Sequence, residues 1–459
     1  MDTPTPSATL AELAPGETVE VPLYALFNKE IFLLEGVTPL TGEVIISYSS
    51  RGRPAEQRKS ITYNLHDKTA LTWDDARKIA ALITPSDGAL RNYASYIRQA
   101  AKDAVIPGYS DALQFAVQAF YALDEIGILY QADPASPFTE AQGNTLLVDS
   151  VSLPRDTLTR ITGDCDDLTV LYNSLLETTG VETGFITTPG HIYSVVNTQV
   201  DAADYAMVHP DRRMTLVIDE KIWVPVEITL IGLASFTEAW KSGVDEWHKY
   251  ENSMEQRGFY STRASQQIFL PVSLTERDLG LQYGNPDVIR TRFIQELDAI
   301  TGAIAGGYRA AMSDPPTKVG YNKLGILHAG FGQYEAAESA FQAALVVDPG
   351  FISAKINLGS LNFLLGNYDL ARNQFTESYD RLQELGRANS RLASQVLINL
   401  SNVSERLNET EQAADAYRMA AVADPDAVRE YEGIGAAEET GTRASAVPDL
   451  NSQILFVND

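Results

Sequence analysis

The sequence predicts a multidomain α+β protein: a small N-terminal antiparallel β unit, an α+β core, and a C-terminal all-α repeat array. Three observations carry that reading. Early runs alternate polar and apolar residues, as in "TVEVPLYAL", "EVIISYSS" and "KSITYNL", each bounded by Gly, Pro, Asn or charged residues. From "WDDARKIAALITPSD" onward the apolar period becomes helical, until strand-like runs return near residue 183. Beyond residue 316 the chain repeats itself.

At 459 residues the chain is too long for one core, and usual domain sizes suggest about three or four. With 44% apolar and 21% charged residues its composition is that of globular protein, which argues against disorder along most of its length. Sixty-one acidic residues against 35 basic leave a net charge of −26, which repels phosphate backbones and acidic lipid. Nucleic acid and membrane surfaces are therefore not expected partners. No apolar run approaches the roughly 18 residues of a membrane span. The single cysteine forms no internal disulfide and leaves the redox compartment open. The opening "MDTPTPSATLAELAPGE" has neither a basic n-region nor an apolar h-region. It fits a cytoplasmic start, or a mature extracytoplasmic (periplasmic) segment placed behind an added Met.

Residues 1–16, rich in Pro, Thr and Ser, read as a flexible leader, and 17–84 as a small β-rich domain. The core follows over 85–285. It opens with two amphipathic helices, "ALRNYASYIRQAAKDA" and "DALQFAVQAFYALDEIGILY". Next comes "ITGDCDDLTVLYNSLLETTG". Asp164 is a natural N-cap and Asp167, three residues on, a capping-box acid. Leu168, Leu171, Tyr172, Leu175 and Leu176 form one apolar stripe, and Gly180 supplies the stop. Cys165 therefore opens a helix with a buried rear face. Two strand-like runs come after it, "TGFITTPGHIYSVVNT" and "TLVIDEKIWVPVEIT", separated by a polar insertion at about 199–213.

A linking helix is expected over 286–316, repeats over 317–435, and a tail over 436–459 whose apolar "SQILFVND" docks back onto the body. Leu324, Gly325, Ala337, Phe341, Ala344 and Pro349 set the first repeat, and 34 residues on Leu358, Gly359, Ala371 and Phe375 stand in register. Leu400, Ala413, Tyr417, Ala420 and Pro425 follow after 42. The eight extra residues fall in "DRLQELGRANSRLASQ" and are expected to lengthen the helices there. This spacing of small and large residues resembles the tetratricopeptide repeat, which implies a concave face that docks a protein or peptide.

Cys165 poses a chemical question. A helix N-terminus favours a thiolate, whereas Asp164, Asp166 and Asp167 oppose one, so activation needs a close imidazolium. Among the five histidines (His66, His191, His209, His248 and His328) only His191 heads a strand, after a Pro-Gly turn. His209 and His248 lie in polar stretches, and His66 and His328 read as packing or surface groups. Glu227, on the next strand, can orient the imidazole, with Asp219 as the other acid in range. The EF-hand pattern needs Gly at loop position six and Glu at twelve, and neither follows "DCDD", so no metal or cofactor is expected. A buried structural cysteine is the plainer alternative.

"GDCDDLTVLYNSLLETTGVETGFITTPGHIYSVV" followed by "KIWVPVEIT" resembles the transglutaminase-like superfamily, related in architecture to papain-type cysteine hydrolases, over roughly 85–250. The resemblance implies a papain-like core with Cys165 as nucleophile, His191 as general base and acid, and Glu227 as the orienting acid. It also implies acyl transfer from an amide, to water (peptidase or amidase) or to an amine (transglutaminase). Two departures stand out. The family usually has Asp where Glu227 stands, and the interval from His191 to Glu227 is long, so the insertion around His209 must loop out. The backbone N–H of Cys165 is one candidate oxyanion donor, with Gln142 and Asn144 as second candidates. The rival reading is an inactive scaffold of the same fold that recruits partners through its repeats. A redox sensor lacks the resolving cysteine.

Overall fold

The computed structural model describes residues 8–22, 27, 29–34, 36–132, 147–253, 256–439 and 454–458. Two long strands, β1 (Val37–Ser50) and β2 (Arg53–His66), pair antiparallel about a tight turn at Arg51 and Gly52, both at positive φ. That turn geometry matches the twist of a two-stranded ribbon. Of the first expected strand, "TVEVPLYAL", residues 18–22 are irregular and exposed, and 23–26 lie outside the described residues. Alternation without a face to bury yields no strand, and the ribbon itself leaves Ile45, Ile46 and Tyr48 about half exposed.

The core holds two short pairings, β3 (Ala70–Thr72) with β5 (Val148–Ser150) and, in parallel, β4 (Leu129–Tyr130) with β6 (Thr162–Gly163). Its main sheet has β7 (Thr183–Thr188), β8 (His191–Asp201), β9 (Leu216–Ile218), β10 (Lys221–Val226) and β11 (Gly258–Ser261). All pairings are antiparallel, in the order β11-β7-β8-β10-β9. Each of the two strand-like runs is thus a hairpin. One turns at Pro189 and Gly190, the other at Asp219 and Glu220, which adopt positive φ.

Around the sheet pack α1 (Gly88–Ala100), α2 (Asp111–Glu125), α3 (Pro154–Arg160), α4 (Cys165–Glu177), α5 (Phe236–Lys249), α6 (Thr262–Gln266) and α7 (Pro286–Ala310). The predicted stripe on α4 is buried, and it shares one core with Phe115 and Phe120 of α2, Val196 and Val224 of the sheet, and Trp240 of α5. Helix α7 joins that same core through Ile289, Phe293, Leu297, Ile300 and Ile304, so it is a packed wall as well as a link. A buried ion pair ties α3 to α1: Arg155 donates to both oxygens of Asp87 at 2.7 and 2.8 Å, and Asp87 also caps α1.

The C-terminal region is helical: α8 (Lys318–Gly330), α9 (Tyr334–Val347), α10 (Ile352–Leu364), α11 (Tyr368–Glu384), α12 (Arg391–Arg406), α13 (Thr410–Ala423) and α14 (Pro425–Glu439). The repeat spacing has a steric cause. A Cβ on Gly325 would stand 2.4 Å from the Phe341 ring, and one on Gly359 2.7 Å from that of Phe375. Of the eight extra residues, α11 and α12 absorb three each relative to α9 and α10, and the connecting loop takes two. The array is seated directly on the core. A Cβ on Gly108 would lie 2.3 Å from the carbonyl oxygen of Gly330, and the Tyr109 and Phe331 rings meet at 4.7 Å. Residues 454–457 are buried against the array, as their apolar character predicts. Among the described residues no helix is long and apolar enough to cross a membrane.

Candidate functional site

Asp164 accepts the backbone N–H of Asp167 at 3.3 Å and so starts α4 with Cys165 as its first residue. The thiol is buried among Leu71, Ile79, Val151, Phe185 and Ile192. The Thr169 hydroxyl donates to the Cys165 carbonyl at 2.6 Å and lies 3.5 Å from that of Ile192, which ties the first turn of α4 to the start of β8.

His191 is the first residue of β8, and its Nε2 lies 2.6 Å from Oε2 of Glu227. Glu227 follows the last residue of β10. Its other oxygen accepts from the Thr229 hydroxyl at 2.6 Å and from the Thr229 N–H at 3.3 Å. The extra methylene of Glu is therefore no obstacle to reaching the imidazole. Asp219, the other acid in range by sequence, sits exposed in the β9–β10 turn. That turn adjoins the Lys221–Asp201 pair, about 33 Å along β8 from His191 at about 3.3 Å per residue. The insertion likewise leaves β8 at Asp201, and it packs on α5: the His209 ring meets Trp240 edge-on at 5.4 Å.

Burial is the largest influence on all three candidate groups. It pushes the Cys165 thiol well up; Asp166 and then Asp164 add to this, and the Ile192 N–H offsets part of it. For His191 burial favours the neutral ring, but the hydrogen bond and charge of Glu227 outweigh it and raise the imidazolium above its ordinary value. Glu227 is correspondingly lowered, because His191 and Thr229 outweigh its own burial. The opposite signs are those of a pair in which each partner stabilises the other's charged form. Cys165 and His191 are not hydrogen-bonded to each other: Cys165 shares its cluster with Ile192, while the His191 ring is bonded to Glu227 and stacks on Tyr193 at 5.6 Å.

The acids beside the thiol carry less charge than their number suggests. Asp166 is raised well above the carboxylate range by burial and by a hydrogen bond shared with Asp164. Asp167 is pushed up to about 6 by burial and Asp164, although Ser152 donates to it through its N–H (2.6 Å) and hydroxyl (3.0 Å). These three carboxylates lie within 4.8 Å of one another, the one such cluster among the described residues. Asp164 and Asp166 are occupied with capping and with each other, and Asp167 with Ser152.

One neighbour escaped sequence reasoning. Tyr130, on β4 opposite Gly163, has its phenol raised by burial and then by the charges of Cys165, Asp164 and Glu227, which places it at the rim of the site. The signal was the "GILY" after α2, where Gly127 at positive φ turns the chain back. Gln142 and Asn144 lie outside the described residues.

With this geometry in view, similarity to known proteins bears mainly on the array. Residues 351–421 match the family model of the tetratricopeptide repeat. Such repeats support a role in protein–protein interaction. No curated protein matches the chain.

Proposed function

We propose that the chain is a cysteine-dependent acyl hydrolase or acyl transferase acting on an amide bond, whose tetratricopeptide repeats dock a protein or peptide partner. One observation carries the chemistry: the 2.6 Å His191–Glu227 pair heads the strand whose next residue, Ile192, is buried in one cluster with the helix-opening Cys165. Glu227 holds Nε2–H and leaves Nδ1 for the thiol proton. Cys165 Sγ attacks the carbonyl carbon while His191 takes its proton, and His191 returns that proton to the leaving amine. Water or an amine then attacks the thioester, passes its proton to His191, and the thiol is restored. The N–H of Cys165 precedes the helical ladder and is available to the developing oxyanion. General acid–base work of this kind contributes about 10²–10⁴-fold.

A second reading, a scaffold of the same architecture without chemistry, draws on the buried, raised thiol that is not bonded to His191. Catalytic hydrogen bonds commonly tighten only once substrate binds, so the two readings part on reactivity. The test is the pH profile of Cys165 alkylation by iodoacetamide in the native chain and in His191→Ala. Acyl transfer requires a rise with a midpoint above 6.5 that vanishes in the variant, which then reacts only in the elevated thiol range. Identical profiles would leave the scaffold.

A further inference from the structure

Residues 454–457 lie extended along the groove formed by α8, α10 and α12, and their main chain is read at every second residue. Asn399 accepts the Leu455 N–H and donates to the Leu455 carbonyl, both at 2.9 Å. Asn357 does the same at Val457, both at 2.8 Å. Asn322 adds a donor to the Val457 carbonyl at 2.8 Å, and Ser360 one to that of Leu455 at 2.7 Å. Three successive repeats thus each supply a fully buried asparagine to one strand-like occupant. Asparagine amides in this arrangement imitate a strand edge, and they recognise backbone, not side-chain identity.

The side chains set the remaining chemistry. Phe456 stacks on Phe341 at 6.2 Å, and Leu455 packs with Leu397, Ile398, Ala420 and Val428. Pockets of this kind reject charge. The occupant belongs to no helical pair of the array, and fourteen residues (440–453) separate it from α14. Emptied of it, the three asparagines would lose their main-chain partners.

We infer that 454–457 is an exchangeable internal ligand of the repeat groove, and that the outside partner is an extended, uncharged run of large apolar residues that must displace it. This rests on the reading that the array docks a partner. Fourteen intervening residues set a local concentration on the order of millimolar, so a segment that binds the groove at micromolar strength weakens outside partners about a hundredfold or more in the intact chain.

The test is fluorescence anisotropy with a labelled synthetic peptide of residues 452–459, titrated with the full chain and with a chain ending at Glu439. The shortened chain is expected to bind at least about tenfold tighter than the full chain, and Asn357→Ala in the shortened chain to weaken it about tenfold. No binding by a shortened chain that keeps its helical circular dichroism, or equal binding by both chains, overturns the proposal. Equal affinity for a Phe456→Asp peptide overturns the apolar assignment while leaving a docking groove. If shortening unfolds the array, a full chain carrying a protease site within 440–453 is folded and then cut. Exchange of the released segment for labelled peptide supports the inference, and failure to exchange refutes it. None of these readouts involves Cys165, so they are independent of the acyl-transfer chemistry.

Discussion

Replacing Glu227 with Gln keeps the shape of the side chain and removes its charge. His191 is raised because the hydrogen bond and charge of Glu227 outweigh the burial of the ring. Charged hydrogen bonds contribute about 1.5–3 kcal/mol and neutral ones about 0.5–1.5, so the variant loses about 1–2 kcal/mol of preference for the imidazolium. This lowers the His191 pKa, because the burial that favours the neutral ring is no longer opposed by a carboxylate charge. The assay is an NMR titration of the ring Cε1–H resonances, with His191 identified by its absence from the His191→Gln spectrum. Stability follows the same pair. A raised imidazolium stabilises the fold fully below about pH 6.5 and ceases to as pH rises through its folded value. A lowered Glu227 stabilises fully above about pH 4.5 and ceases to as pH falls through its own. The pair's contribution therefore peaks between those limits and is absent in Glu227→Gln. An unchanged or higher His191 pKa in the variant would refute the pairing and remove the third member of the proposed triad.

Asp167 is raised from 3.8 to about 6, so the fold loses stability as pH rises through that interval, about 1.4 kcal/mol between about pH 5 and 7.5. Asp167→Asn is expected to abolish that share of the slope in urea titrations at the two pH values; an unchanged slope would contradict the burial argument. Arg155→Met strands Asp87, whose side chain is 1% exposed, and is expected to cost about 3–5 kcal/mol. Adding Asp87→Asn should recover most of that loss, and a single-variant loss below about 1 kcal/mol would show that the pair is not the buried tie it looks to be. Gly325→Ala gains about 1 kcal/mol of helix propensity but drives a Cβ to within 2.4 Å of the fully buried Phe341 ring, where overpacking costs about 1–3 kcal/mol. The melting temperature is expected to fall, and a rise would mean that the ring has room to move.

Where the sequence encodes local rules the structure was legible. Asp164 before an apolar stripe placed the start of α4 at Cys165, and the Pro-Gly turn placed His191 at the head of a strand. Glu227 was legible as the acid on the following strand, and its reach to His191 was not in doubt once Thr229 fixed the other oxygen. Long-range facts were harder. That Asp219 turns a hairpin at the far end of β8 depends on strand register, which composition does not reveal. The protons held by Asp166 and Asp167 depend on burial, not on how many acids stand in a row. Tyr130 meets the site through a two-residue parallel pairing too short to carry a periodicity. Residues 18–22 had the alternation of a strand and are exposed on both sides, so there pattern alone misled.

The meeting of Gly108 and Gly330 bears on where this protein divides. Phe331, one residue past the end of α8, is 1% exposed in the same cluster as Phe293 and Leu297 of α7. The periodicity that marks a repeat boundary near residue 317 therefore does not mark a seam in cooperativity. A cut there would strip an aromatic from the core and leave the array with an exposed, greasy stump. On heating, α8 is expected to melt with the core that holds it and not with the repeats that it resembles. A load borne by the array would pass straight into α7 and α2, which makes the repeats a lever bolted to the core, not a hook on a string.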